Sequence, residues 1–156
     1  KITGLADAAM FLNGKNIENA IRTLAVSKQV SPVAAVPEVR EKLVRMQKAM
    51  GIHKGVVMDG RDIGTVVFPE AELKLYLTAS ADTRAHRRYK ELIDKGEVVN
   101  FEEVLKNVQE RDYIDSHRET SPLTKAAGAI EIDNSDMGLE EQFERILSHA
   151  NALIIG

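Results

Sequence analysis

Three groups of charged residues in this chain have the types and spacing to hold an anion. The first is Asp59-Gly60-Arg61-Asp62. Gly60 allows a tight backbone turn, the Arg61 guanidinium can fork onto phosphate oxygens, and Asp59 or Asp62 can accept from a ligand or hold a hydrated cation. The plainer alternative is an Asp-Gly turn closed by an internal Arg–Asp pair, a common arrangement. The second group is Arg111, Asp115 and Arg118, spaced i, i+4, i+7 so that two cations flank a carboxylate on one helix face. A solvated ladder of ion pairs, worth tenths of a kcal/mol, would use the same residues. Ser121-Pro122 closes the segment and places Arg118 near a helix end. The third is Arg84, Arg87 and Arg88, like charges at i, i+3, i+4 that repel unless acids or a phosphate face them. Asp82 and Glu91 can neutralise part of that charge, so an anion site and a structural network both fit.

The whole chain carries a net charge of −3, which argues against a general nucleic-acid binder. The cations are concentrated instead between Arg84 and Arg118, where His86, Lys90, Lys95, Lys106 and His117 join the arginines already named. An acidic protein with one local basic stretch suits a small anionic ligand. The four histidines have no metal-ligand spacing and no G-x-S-x-G occurs, so zinc hydrolysis and acyl transfer lack support. Phosphoryl transfer asks for positioning and positive charge, which arginine-rich loops supply.

The elements that must position these groups follow from local signals. Asn13-Gly14 predicts a hairpin over Ala9 to Ile17. Pro37 opens a helix whose apolar repeat is Val39, Leu43, Met46 and Met50, closed by Gly51 as its C′ residue. Gly55 to Asp59 reads as a short buried strand feeding the Asp59–Asp62 loop, and Leu73 to Thr78 as a second strand. Ser80 caps a helix from Ala81 to about Lys95, stopped by Gly96, and Asn100 with Glu103 resembles a capping box for a helix running past Arg111. Ala129 to Asp133 reads as a third strand and Gly138 to about Leu153 as a last helix. This alternation predicts a parallel α/β sheet with ligands at the strands' carboxyl ends, although three strands are few for such a sheet. At 156 residues with 44% hydrophobic content the chain has the size of one globular domain. Its longest apolar runs fall far short of the roughly 20 residues of a membrane span. The absence of cysteine suits a cytoplasmic location.

Several separated segments, in one order, resemble the bacterial cytidylate kinase family. They are Asn13-Gly14 with Ile21-Arg22-Thr23; Ser31 to Arg40; VVMDGRDIGTVVF over 56–68; RAHRRYKEL over 84–92; ERDYIDSHR over 110–118; and Ser121-Pro122-Leu123. The resemblance implies a P-loop nucleoside monophosphate kinase fold, with residues 1–37 part of the monophosphate-binding insert and 38–156 the remaining core, including a lid over about 85–118. By position, Ser31, Arg40 and Asp62 would read the cytosine edge, Arg61 and Arg118 hold the CMP phosphate, and Arg111 with Asp115 sit at the ribose hydroxyls. Arg84, Arg87 and Arg88 would approach the ATP phosphates, and Arg61, Arg118, Arg87 and Arg88 would carry the catalytic charge. Asp59 would support the Mg²⁺ that accompanies ATP.

The implied activity is transfer of the γ-phosphoryl of ATP to CMP or dCMP, by a cytoplasmic monomer that binds small nucleotides and neither nucleic acid nor membrane. One feature departs from the family: no G-x-x-x-x-G-K-S/T occurs in the 156 residues. The resemblance therefore implies roughly another 70 to 80 residues upstream, and the chain by itself is expected to bind CMP weakly and to be inactive. A non-catalytic nucleotide- or phosphate-binding domain, a purely structural domain, and a kinase for another monophosphate such as UMP are the competing expectations.

Overall fold

Strand β3 (Leu75–Thr78) and strand β4 (Ile130–Asp133) pair in parallel, Leu75 opposite Ile130 and Thr78 opposite Asp133. Helices α3 (Ala81–Asp94) and α4 (Phe101–His117) make the crossover between them. The structure is a computed structural model and describes residues 9–155; residues 1–8 of the expected insert lie outside it. Before this unit come the hairpin β1 (Phe11–Leu12) and β2 (Lys15–Asn16), helix α1 (Leu24–Ala34) and helix α2 (Pro37–Met50); helix α5 (Leu139–Ile155) follows it. No helix among the described residues is long and apolar enough to cross a membrane.

Local chemistry accounts for most of these limits. Asn13 and Gly14 both have positive φ, 52° and 79°, as the tight hairpin turn requires. The Ser80 hydroxyl accepts from Thr83 N at 3.0 Å to start α3. Gly96 ends it at φ 81°, with Gly96 N donating to Ile93 O at 2.8 Å and Glu97 N to Leu92 O at 3.0 Å, the double bond of a Schellman motif. Asn100 caps α4 by accepting from Glu102 N at 2.7 Å. The expected capping box is only half present, because the Glu103 carboxylate reaches Lys28 of α1 instead. Helix α1 was not expected. Its buried positions are Leu24, Ser27 and Ser31, a face with two hydroxyls where an apolar repeat would be sought.

Two expectations need correction. Gly51 closes α2 but at φ −94°, outside the left-handed region of a C′ glycine. Its glycine is required by space: a Cβ would lie 2.4 Å from the Phe68 ring. Gly51→Ala is accordingly expected to destabilise the protein by about 1–2 kcal/mol through forced displacement of that ring, read as a lower urea midpoint at unchanged m-value. The second correction is larger. Residues 55–59 form no strand, and they are not buried, with Val56 and Val57 facing solvent. A strand exists through its ladder, and no neighbour runs beside this segment among the described residues. The apolar repeat of α2 is likewise half-exposed at Leu43 and open at Met46 and Met50.

The core that matters for the charged groups joins α1, α3 and α4: Leu24, Leu92 and Val104 pack together, with Tyr89 and Val99 against them. Burial of such side chains contributes about 1.5–3 kcal/mol each. It holds the Ser27 face of α1 and the Arg111 face of α4 in register.

Candidate active site

Residues 55–59, which have no regular structure, lead into the Asp59–Asp62 turn. The turn is followed by a wide helical turn over Ile63–Val67, with Val67 N donating to Asp62 O at 3.3 Å and Phe68 N to Ile63 O at 2.7 Å. Gly60 is needed for close approach, since a Cβ there would sit 2.9 Å from Ile63 Cγ1. The charges of this turn do not pair internally. Asp62 points to α2, where it takes a two-pronged contact from Arg40: Nε donates to Oδ2 at 3.2 Å and Nη2 to Oδ1. Arg61 points to α4, with Nε 3.2 Å from Asp115 Oδ2 and Nη1 3.8 Å from Asp112 Oδ1. The internal Arg–Asp pair that the sequence also allowed is therefore not formed.

On α4 the solvated ladder is not what forms either. Asp115 is 3% exposed and Arg118 8%, far too buried for solvent to screen them. Asp115 lies between two cations, Arg61 and Arg118, the latter with Nη1 3.5 Å from Asp115 Oδ1. Arg118 is held further by its Nε donating to Ser121 O at 2.7 Å, and Leu123 N donates to Asp115 O at 2.7 Å. Ser121 adopts φ 52°, a left-handed conformation uncommon outside glycine. Burial pushes the Arg118 guanidinium below its ordinary pKa, with Arg40 adding repulsion, and it does the same to Arg111, with Arg61 adding there. Both lowerings come first from burial, and arginine keeps its proton regardless.

Three buried polar atoms of the expected site residues, Ser31 Oγ, Arg111 Nε and Arg118 Nη2, have no hydrogen-bond partner among the described residues. Orphaned buried groups cost about 1–3 kcal/mol each, and in a native fold they call for a partner such as water, an ion or a ligand. A cavity of about 180 Å³ opens at Arg111, which with Arg61, Arg84 and Arg88 stands against the one carboxylate of Asp112, Ser27, Asn107 and Val108 completing the wall; Ser31 and Arg118 do not line it. Arg84 is forked onto Asp112 at 3.0 and 2.7 Å. Arg88 pairs with Glu91 at 2.6 Å. Four guanidiniums around one acid make up the donor set that a phosphate would need.

Of the expected residues, Arg61, Arg84, Arg88 and Arg111 meet at this cavity, with Asp115 and Arg118 adjoining through Arg61. Arg87 does not join them. Its guanidinium turns to the loop after β4, donating to Asn134 Oδ1 at 3.0 Å and Asn134 O at 2.6 Å. It directly precedes Arg88 on α3, and consecutive helical residues point about 100° apart around the axis. Asp59 is exposed, and no cluster of three metal-binding side chains occurs among the described residues. Reading the sequence missed Ser27, Asn107 and Asp112. Asp112 stands next to Arg111, but its partner Arg84 is 28 residues away, and no local spacing shows that.

The parallel α/β unit carries a cavity on which four guanidiniums converge, a donor set suited to phosphate groups. The sequence profile of the family described as Cytidylate kinase matches residues 2–152. The cytidylate kinase of Flavobacterium psychrophilum is 61% identical over 147 residues, which are 94% of this chain and 65% of that protein. That of Bacteroides thetaiotaomicron is 56% identical over 142 residues, 91% of this chain and 61% of that protein. The chain belongs to the cytidylate kinase family, and so to the P-loop nucleoside monophosphate kinase fold. It spans 61–65% of the length of these two relatives.

Proposed function

We propose that the protein carrying this chain transfers the γ-phosphoryl of ATP to CMP or dCMP, giving ADP and CDP or dCDP, as a cytoplasmic monomer. The observation that carries this reading is the cavity, where Arg61 of the turn faces Arg84 and Arg88 of α3 and Arg111 of α4. In phosphoryl transfer the protein's task is to bring donor and acceptor phosphates together and to neutralise the charge that spreads over the transferring oxygens. Guanidiniums from three elements converging on one cavity do that without any general base.

The acceptor side is built by the buried groups. Arg118 Nη2, free of protein partners, and Arg61 hold the CMP phosphate, and Asp115, between them, keeps both forks aimed. Ser31 Oγ and the Arg40–Asp62 pair read the cytosine edge: Asp62 accepts from the exocyclic amine and Ser31 satisfies a ring acceptor. Uracil, which has an oxygen in place of that amine and an N–H in place of the N3 acceptor, would leave Asp62 facing an oxygen. Arg111 and Asp115 address the ribose. On the donor side Arg84 and Arg88 meet the ATP phosphates, Arg84 by exchanging the Asp112 carboxylate for phosphate oxygens. Arg87 can join them only by leaving its carbonyl partners at 134–137.

Magnesium sites use one or two carboxylates with the nucleotide phosphates and retained waters. The exposed Asp59 carboxylate, beside Arg61, fits that sparse donor set and would hold the hydrated ion. Bound Mg²⁺ would supply neutralisation between the β- and γ-phosphates.

A coupled assay of the complete gene product with ATP, Mg²⁺ and, in turn, CMP, dCMP, UMP and AMP tests the reading. The expected result is turnover of CMP and dCMP at kcat/KM at least tenfold above UMP, as loss of a buried polar match predicts. Preference for UMP or AMP, or saturable CMP binding without turnover, would replace it.

A further inference from the structure

Helix α1 turns a polar face toward the cavity. Ser27 and Ser31 are four residues apart on it and share that face, and both are buried. Ser31 Oγ is orphaned, whereas Ser27 Oγ is doubly engaged: it donates to Asn107 Oδ1 at 3.0 Å and accepts from Arg111 Nη1 at 3.1 Å. Asn107 and Arg111 are one turn apart on α4, and all three side chains line the cavity. Asn107 is itself buried.

A serine hydroxyl has one proton to give. With that proton committed to Asn107, its lone pairs are turned to Arg111. Without Asn107 the hydroxyl can rotate, and its proton then competes with the guanidinium N–H for the same space. The hold matters because Arg111 has no other side-chain hydrogen bond among the described residues, and its Nε is buried without a partner. Asp115 and Asp112 attract it through space, but that pull sets no orientation.

We propose that Asn107 and Ser27 are positioning residues for the reaction: a hydrogen-bond relay that aims the Arg111 guanidinium and locks α4 to the α1 face bearing Ser31. The ribose contact from Arg111 and the base contact from Ser31 are thereby set on one frame. The substrate named here rests on the CMP kinase reading; the relay itself does not.

Three variants of the complete gene product test it: Ser27→Ala, Asn107→Leu, which keeps the branched side-chain skeleton and removes the acceptor, and the double variant. Melting curves verify folding, and Ser27→Ala removes a single oxygen should Asn107→Leu fold poorly. The first readout is hydrogen exchange of the Arg111 Nε–H in an ¹⁵N-edited spectrum without nucleotide. Slow exchange is expected in the unaltered protein, with an acceleration of about tenfold in each variant. Exchange as fast as that of the exposed Arg45 in the unaltered protein, or no change in the variants, overturns the relay whether or not CMP is turned over.

The second readout is kinetic. Each single variant is expected to raise KM for CMP about tenfold, the loss of one hydrogen bond to a charged group, with kcat and KM for ATP within about twofold. The double variant is expected to match the singles, because one relay can be broken only once. Losses that multiply to about a hundredfold, or kcat falling in step with KM, would show a merely structural role and overturn the proposal. Absence of CMP turnover in the unaltered protein sinks the substrate reading, and the exchange experiment then decides the relay.

Discussion

Asp62→Asn is expected to lower the stability of the protein by about 3 kcal/mol and to reduce its preference for CMP over UMP at least tenfold. Arg40 and Asp62 are both buried and bonded to each other through two prongs. Neutralising one partner leaves the other charge in a poorly hydrated place, and breaking a buried pair in this way costs about 3–5 kcal/mol. Asparagine keeps one accepting oxygen, which puts the loss at the lower end. Urea denaturation reads the stability term, and the ratio of kcat/KM values reads the specificity term. The companion variant Arg40→Met with Asp62→Leu separates the two. With both charges gone no ion is stranded, so stability should return to within about 1 kcal/mol of the unaltered protein while cytosine discrimination stays lost. A destabilisation below about 0.5 kcal/mol for Asp62→Asn would mean that the pair is solvated, contrary to its burial.

The second large effect is expected at Arg118. Arg118→Met should lower kcat/KM for CMP by about 10²–10³, the range found when one oriented donor is removed from a developing charge. Its Nε is occupied by Ser121 O and its Nη1 lies toward Asp115, so the unpartnered Nη2 is the atom left for phosphate. Arg118→Lys should recover little, because the three N–H donors of an ammonium leave from one nitrogen and cannot reproduce the planar spread of Nε, Nη1 and Nη2 toward Ser121 O, Asp115 and a phosphate oxygen. The coupled assay measures both variants. Activity within fivefold of the unaltered protein for Arg118→Met would remove Arg118 from the acceptor phosphate and leave it as the clamp of the Ser121 turn.

These effects depend on pairings that span the chain, and that is where reading the sequence reached its limit. The hairpin at Asn13-Gly14, the Ser80 and Asn100 caps, the Gly96 stop and the parallel β3–β4 crossover all follow from interactions within a few residues, or from the order of elements. They were legible for that reason. Residues 55–59 have an apolar composition that reads as a strand, but strand and burial are conferred by neighbours, and here Val56 and Val57 meet water. Gly51 and Gly60 were recognisable as required glycines. The reason in each case is a side chain pressed against the Cα, Phe68 or Ile63, which no turn rule contains.

The same division holds at the site. Residue types and spacing, with the ordered motifs that resemble one family, were enough to gather arginines and acids into an anion-binding group, because charge is a property of each residue alone. Which acid meets which arginine was decided by tertiary packing. Arg61 leaves its neighbour Asp62 for Asp115, Asp62 takes Arg40, Arg84 takes Asp112, and Arg87 is carried off to the loop after β4. A buried ion pair forms where the fold brings low exposure and matching geometry together; for Arg84 and Asp112 these come with the α3–α4 packing around Leu92 and Val104. Ser27 and Asn107 belong wholly to that second category: two ordinary polar residues 80 positions apart become a relay once α1 is laid against α4.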